Sequence, residues 1–335
     1  MVTIKTIAQH CGLSTAAVSR AINHLPGVSA ENAELVRKVA KELGYYPNVA
    51  ARTLKTNRSK SIGVLYQNLF GHEFFSHVLE GIHRGAVSNG YELVFLNNAT
   101  NMPYIDYARQ RQCDGVIIVQ SHFDLDSVMT LIDSDLPTVS IENVHPGIST
   151  ITSDNIGAME EAIHYLHDEL GHSRIAFIHG EICQVTNERI AGFFRGCRAC
   201  GITVPDEYLR PSEFRTPYLS GDITQELLAL PTPPTCILYP DDISCLGGIT
   251  EIERQGLHVP DDIGVFGFDG VALSRAVRPQ LTTYVQDAIQ MGTCAIQEVI
   301  DAIEDPRCHI ARVISIKGKL QQGGTVINLK GTDCK

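Results

Sequence analysis

From Ser61 onward the chain alternates short apolar runs with longer helical stretches, and this alternation limits its possible folds more than any other feature. Ser61-Ile-Gly-Val-Leu-Tyr66, Glu92-Leu-Val-Phe-Leu96, Gly115-Val-Ile-Ile-Val119, Pro137-Thr-Val-Ser-Ile141, Arg174-Ile-Ala-Phe-Ile178, Cys236-Ile-Leu-Tyr239 and Gly264-Val-Phe-Gly-Phe268 read as buried strands. Helix-length segments separate them, such as Phe74 to Asn89, stopped by Gly90. Alternation of this kind indicates parallel sheets with helices on both faces. Ligands on such folds sit beyond the carboxyl ends of the strands, which directs attention to the residues just after each run.

Those strand ends are rich in polar and aromatic side chains. The first leads into Gln67 to Phe75, with the pair Phe74-Phe75; the fourth is followed by Glu142-Asn143; Ser153-Asp154-Asn155 opens a helix. Further on come Glu188-Arg189, then Asp241-Asp242 and Asp269, each after a strand. Aromatic faces can cover the C–H surface of a polyhydroxylated ligand while Arg and Asp hold its hydroxyls, so Phe74, Phe75, Asp154, Arg189, Asp242 and Asp269 are the candidate ligand contacts. For Phe74 and Phe75 the competing role is core packing; for Asp154 and Asp242 it is helix capping.

The first fifty-odd residues follow a different pattern. Thr3 can cap a helix over Ile4 to Cys11; Gly12-Leu13 turns the chain, and Ser14 can cap a second helix through Asn23. In that second helix Ala17, Val18, Ala21 and Ile22 can pack inward, leaving Thr15, Ala16, Ser19 and Arg20 at its exposed start and side. A helix held in this way can lie in the major groove of DNA, and the fork of Arg20 matches guanine N7 and O6. Ser29 begins a third helix, with Leu35, Val36, Val39, Ala40 and Leu43 at core spacing and Gly44 at its stop. Asn48 to Thr56 follows Pro47 and carries Ala51, Arg52, Leu54 and Lys55; it is too short to hold a helix unaided.

Charge divides the chain in the same place. The whole carries −11, yet residues 1–60 hold nine Lys/Arg against three Glu, so a head of +6 leaves −17 for the remainder. A basic head on an acidic body suits a protein whose first segment alone meets phosphates. The ten cysteines are scattered through apparent helices and strands, as expected of reduced thiols in a cytoplasmic protein. Cys197 and Cys200 form a lone CxxC, and His164, His167 and His172 follow a helix to its end; neither spacing reads as a metal site, and no metal or cofactor is expected. No phosphate-binding loop, nucleophile elbow or dinucleotide fingerprint occurs, and no apolar run reaches membrane-spanning length.

TIKTIAQHCGLSTAAVSRAIN, followed by GVS, ELGYYPNVAARTLKT and SIGVL, closely resembles the LacI/GalR family of transcriptional regulators. EFFSHVLEGI, SDNIGAMEEAI, LGHSRIAFIHG, ERIAGF, PDDISCLGG, VPDDIGVFGFDG and RPQLTTY extend the resemblance to about Leu329. It implies an all-α helix-turn-helix head with a hinge helix, then a two-lobed body like the periplasmic sugar-binding proteins, of parallel sheets flanked by helices. The implied divisions are a head at 1–46, a hinge and linker at 47–60, and a body at 61–330. Within the body, lobe 1 is 61–154 with 287–313 and lobe 2 is 155–286 with 314–330, leaving a tail at 331–335.

By the same resemblance Thr15, Ala16 and Arg20 read the major groove, and Leu54, flanked by Ala51 and Lys55, wedges into the minor groove of a near-palindromic operator. The effector position is implied at Phe75, Arg189, Phe214 and Asp269, with Asp242 nearby. The stretch from Asn98 to Asp114 is shorter than the family pattern and broken by Pro103, so a stunted helix is expected there. Purine-binding members carry an Arg or Thr before the Glu188-Arg189 pair, where this chain has Cys183 and Val185, which favours a sugar or sugar phosphate over a nucleobase or nucleoside. The expectation is a homodimeric repressor, with a tetramer as the alternative, that is neither an enzyme nor membrane-bound. A sugar-acting enzyme tethered to DNA is the rival, with Asp242 and Asp269 as its carboxylates.

Overall fold

The computed structural model describes residues 2–23, 25–45, 58–66, 72–96, 102–119 and 125–331. The chain divides into two compact units, Met1–Ser59 and Lys60–Lys335. In the first, α1 (Ile4–Cys11), α2 (Thr15–Ile22) and α3 (Ala30–Glu42) enclose Ile7, Ala8, Val18, Ala21, Val36 and Ala40. Each helix begins at a hydroxyl cap: Thr3 accepts from the Thr6 N–H, Ser14 from Ala17 and Ser29 from Asn32, at 3.2–3.3 Å. Each such cap contributes about 1 kcal/mol, a large share for so small a core. Gly12 ends α1 at φ 64°, a left-handed turn that a Cβ would oppose. Leu35 departs from the expected core. It is 42% exposed, because at about 100° per residue it falls outside the stripe of Val36, Val39, Ala40 and Leu43.

The second unit holds strands β1 (Ser61–Leu65), β2 (Glu92–Leu96), β3 (Gly115–Ile118), β4 (Thr138–Ile141), β5 (Ser149–Ser153), β6 (Ile175–His179), β7 (Leu209–Pro211), β8 (Cys236–Leu238), β9 (Gly264–Asp269), β10 (Thr282–Val285), β11 (Val313–Ile316) and β12 (Lys319–Gln321). They form two sheets, ordered β11-β5-β4-β3-β1-β2 and β12-β10-β9-β8-β6-β7. Every ladder is parallel except β10 with β12. The winding is the same in both: the first strand lies between the second and the third, so each sheet has a switch point beside its first strand, where a crevice opens at the carboxyl ends.

The chain passes between the lobes after Ser153, after Val285 and after Ile316. The last position corrects the expected boundary at 313. β11 pairs with β5 from Val313↔Thr150 to Ile316↔Ser153, so lobe 1 continues to Ile316. This strand alternates exposed and half-buried residues, an edge pattern that lacks the continuous apolar run of the central strands.

Helices α4 (Glu73–Ser88), α5 (Tyr104–Gln110), α6 (Leu125–Ile132) and α12 (Ala288–Glu304) cover the first sheet, and α7 (Asn155–His164), α8 (Gln184–Ala199), α9 (Pro217–Leu228) and α10 (Asp242–Arg254) the second. A short α11 (Ala272–Ala276) follows β9. α5 has seven residues and starts directly after Pro103. Large side chains such as Ile82, Val299, Phe177 and Phe193 are fully enclosed, each stabilising the fold by about 1.5–3 kcal/mol.

α4 and α12 approach to backbone contact at glycines. A Cβ on Gly81 would stand 2.1 Å from the Ile289 carbonyl oxygen, and one on Gly292 would stand 2.0 Å from that of Val78. Gly81→Ala and Gly292→Ala should therefore each cost about 1–3 kcal/mol through overpacking. Urea unfolding would report this as a lowered midpoint at unchanged slope. Parent-like midpoints in both would show that the two helices have room to separate.

Candidate functional site

The carboxyl ends of the two sheets converge on a cleft of about 270 Å³. Lobe 1 contributes His72, Phe74 and Phe75 at the start of α4 and Glu142-Asn143 after β4. Lobe 2 contributes Glu181, Cys183 and Val185 after β6, Arg189 on α8, Phe214-Arg215 after β7, and Asp269 at the end of β9; Gln286 lies in the crossing after β10. Among the described residues, the non-glycine positions with positive φ are Lys60, Gln112, Glu142 (67°), Arg215 (55°) and Asp269 (96°), and the last three line this cleft. Such backbone costs about 1–3 kcal/mol per residue and concentrates where side chains are held for binding.

Arg189 is the central group. Its guanidinium lies 3.6 Å from the centroid of the Phe268 ring and 5.8 Å from that of Phe214. Nε donates to Asn155 Oδ1 at 3.0 Å and Nη1 to the Pro240 carbonyl at 2.9 Å. Burial lowers its pKa from the ordinary value, opposed by the fields of Asp269, Glu142 and Asp241. None of the three is within 4.0 Å of its nitrogens, so the cation is surrounded by carboxylates without being paired to one.

Each carboxylate is fixed by its own partners. Glu142 accepts from the Ser153 N–H (3.2 Å) and the Thr152 hydroxyl (3.3 Å), and burial raises its pKa against the pull of Arg189. Asp269 accepts from Gln286 Nε2 at 2.6 Å, and the Gln286 oxygen accepts in turn from the Ser153 hydroxyl. A chain of hydrogen bonds thus runs from Glu142 through Ser153 and Gln286 to Asp269, spanning both lobes at their crossings. Phe214 is seated by Glu181, which accepts its N–H at 2.8 Å, and its ring lies on Gly180, where a Cβ would come within 2.5 Å. Asp241 accepts the Arg215 N–H at 2.7 Å while capping α10 through Ser244. Burial, with Arg215 adding to it, pulls His72 down to about 4, so this ring is neutral at physiological pH.

Of the candidates read from sequence, Phe75, Arg189, Phe214 and Asp269 come together, and Phe74 borders the cleft while packing mainly into the lobe 1 core. Asp154 and Asp242 do not face this cleft. Asp154 caps α7, accepting the Gly157 N–H at 3.0 Å. Asp242 is buried and accepts from the Thr283 hydroxyl (2.6 Å) and the Val271 N–H (2.9 Å), bordering an adjoining recess. A strand-end aspartate has two outlets, ligand or backbone, and in both cases the nearby N–H groups take it. Glu181, Arg215 and Gln286 went unread, Gln286 because it follows the polar strand Thr282-Thr-Tyr-Val285 that no apolar run announces.

On the small unit, α2 exposes Thr15, Ala16 and Arg20, with Ser19 half-buried. Arg20 lies against Gly27, whose Cβ would be 3.1 Å from its Nη1, and no described acidic side chain forms an ion pair with it. Ala51, Leu54 and Lys55 lie outside the described residues. No helix of the described residues is long and apolar enough to cross a membrane.

Residues 3–48 match the family described as bacterial regulatory proteins, lacI family, and residues 163–326 match the periplasmic binding protein-like domain. The HTH-type transcriptional repressor CytR of Escherichia coli (strain K12) is 32% identical over 310 residues, covering 90% of each chain. This chain belongs to the LacI family. It is a DNA-binding transcriptional regulator with an effector-binding body. The repressor PurR of Pasteurella multocida is 30% identical over 315 residues, covering 91% of this LacI-family chain and 93% of its own. Among solved structures, the lac repressor dimer bound to operator and the anti-inducer ONPF superposes with a TM-score of 0.81 at 23% identity, covering 97% of this regulator and 99% of its own chain.

The cleft of this LacI-family regulator carries a pH dependence. Burial pushes Asp269 up to about 7 from 3.8, against the favourable field of Arg189. Between those values the native chain holds a proton that the unfolded chain has shed, so the contribution of Asp269 to stability is full below the unfolded value and is lost as pH rises through about 7. Asp269→Asn removes this dependence. Urea unfolding without ligand from about pH 5 to 8 should therefore show the parent losing stability relative to the variant as pH rises. A difference that stays constant with pH would mean that Asp269 ionises as it does in the unfolded chain.

Proposed function

We propose that this LacI-family regulator is a homodimeric cytoplasmic repressor whose operator affinity is set by an uncharged polyhydroxylated ligand, a sugar, held by Phe75, Arg189, Phe214 and Asp269. The observation that carries this reading is the buried Arg189, surrounded by Glu142 and Asp269 yet in contact with neither. Hydroxyl groups placed between them accept from the guanidinium and donate to the carboxylates at once, and the phenylalanine rings cover the C–H face of the ring. A sugar phosphate fits less well, since its dianion would face Glu142, Glu181 and Asp269, with Arg189 and Arg215 the offsetting cations among the described lining residues. Cys183 and Val185 at the cleft wall offer no strong partner to a base edge. A nucleoside is the second reading, favoured by the two phenylalanines, whose faces suit a flat base beside a hydroxylated ribose.

The ligand is held rather than transformed. Glycosidase chemistry needs two carboxyl groups across one bond. Asp242, one half of the expected pair, is bound to Thr283 and Val271 away from the cleft. A screen of neutral sugars, sugar phosphates and nucleosides by thermal shift on the full chain tests this assignment. A neutral sugar should stabilise the parent by about 2.7 kcal/mol at one hundred times its Kd, and Arg189→Ala should abolish the shift while operator binding persists. A response retained in the variant would place the effector elsewhere; a response to sugar phosphates alone would reverse the charge argument.

Thr15, Ala16 and Arg20 read the major groove, Ser19 supports them, and Ala51, Leu54 and Lys55 form the minor-groove hinge. The partner in the dimer is a second copy, seated on edge strand β2 and α4, where Phe95 is 50% and Val87 62% exposed beside Leu79 and Leu93. An apolar patch on a sheet edge requires cover, and the superposing lac repressor is a dimer on its operator. Binding assays on operator and random DNA test both surfaces. Arg20→Ala should lose about 1–3 kcal/mol of discrimination, whereas equal loss on both DNAs reassigns it to phosphate. Phe95→Arg should sediment as a monomer with weakened operator binding, and a surviving dimer would move the interface.

A further inference from the structure

The end of α7 and the end of α8 bring together three side chains that the sequence keeps far apart. His164 closes α7, Asp168 follows it in a π-helical turn, Tyr165–Glu169, and Cys200 terminates α8. His164 Nδ1 lies 2.8 Å from Asp168 Oδ2 and 3.5 Å from Cys200 Sγ, and the three atoms all fall within 4.8 Å of one another. The second carboxylate oxygen, Oδ1, is held by His167 Nδ1 at 2.8 Å. We propose that His164, Asp168 and Cys200 form a zinc-binding site, separate from the effector cleft, with water completing the coordination.

Three features support it. First, an imidazole Nδ1 has either one proton or one lone pair, so carboxylate and thiol compete for it, whereas a divalent cation between them engages all three. Second, zinc bonds of about 2.0–2.3 Å in a tetrahedron place ligand atoms roughly 3.3–3.8 Å apart, a spacing these atoms reach by shifts of a few tenths of an ångström to about one ångström. Third, the His167–Asp168 bond fixes the carboxylate from outside, the arrangement that orients metal-ligating groups. The π-helical turn that carries Asp168 is of a kind frequent at functional sites. The sequence hid the site because Cys200 reaches it from a different helix and its CxxC companion, Cys197, is buried in the lobe 2 core. Since Arg189 sits on α8, an ion here would fasten the helix that carries the effector contact to α7.

Untagged full-length protein, chelator-stripped and kept reduced with a phosphine, is titrated with Zn²⁺ against a chromophoric competitor. The expectation is binding of one equivalent that weakens at least about tenfold in His164→Ala and in Cys200→Ser, and is unchanged in Cys308→Ser, an exposed thiol elsewhere. Co²⁺ in place of zinc should give a thiolate charge-transfer band that Cys200→Ser removes, with circular dichroism showing the variant folded. Absence of stoichiometric binding overturns the proposal, as does binding of equal affinity in both variants or a cobalt spectrum without a thiolate band.

Discussion

A single buried cation sets the terms for the body of this regulator. Arg189 is taken out of water by Phe268 and Phe214 and restrained by Asn155 and the Pro240 carbonyl, while the carboxylates that balance it stay beyond contact. Leaving a guanidinium buried without a carboxylate partner is costly unless its hydrogen bonds are met. Here the neutral oxygens of Asn155 and Pro240 meet part of that demand, and the fields of Asp269, Glu142 and Asp241 supply the rest at a distance. Because Glu142 belongs to lobe 1 and Asp269 and Asp241 to lobe 2, the charge balance of Arg189 depends on where the lobes stand. The cleft is therefore electrostatically incomplete in a way that a hydroxylated ligand can complete.

The repeated winding explains why these groups meet. Each lobe places its switch point at the carboxyl end of its sheet, and the crossings join the sheets through those same ends. Ser153 and Gln286, both at crossings, then act as connectors: Ser153 donates its N–H to Glu142 and its hydroxyl to Gln286, which donates to Asp269. Two side chains therefore link a carboxylate of one lobe to a carboxylate of the other.

How much of this was legible in the sequence depends on the range of each interaction. Thr3, Ser14 and Ser29 were readable as caps because each partner lies three residues away. The central strands were readable because burial on both faces leaves an unbroken apolar run. β11 was not, since an edge strand alternates, and the lobe boundary moved with it. Asp154, Asp242 and Asp269 look alike as strand-end aspartates; only the N–H groups and hydroxyls brought near by the fold separate two structural carboxylates from one that faces the cleft. Leu35 failed on geometry, lying one residue off its stripe. Gln286 and Cys200 needed partners from elements distant in sequence, which periodicity does not carry.

Hydrogen bonds between backbone and side chain join the two lobes at the cleft rims. The Ala272 N–H donates to Glu73 at 2.6 Å on one side and the Val144 N–H to Gln184 at 2.9 Å on the other, each bond joining lobe 2 to lobe 1. Exposed hydrogen bonds of this kind contribute about 0.5–1.5 kcal/mol each, so the pair falls within the 1–3 kcal/mol typical of coupling between sites. A ligand shifts such an equilibrium only by its difference in affinity for the two states. One that touched lobe 2 alone, through Arg189 and Phe214, would bind equally well to either arrangement and switch nothing. Contacts from the ligand to Phe75 and Glu142 on the opposite wall would supply that difference.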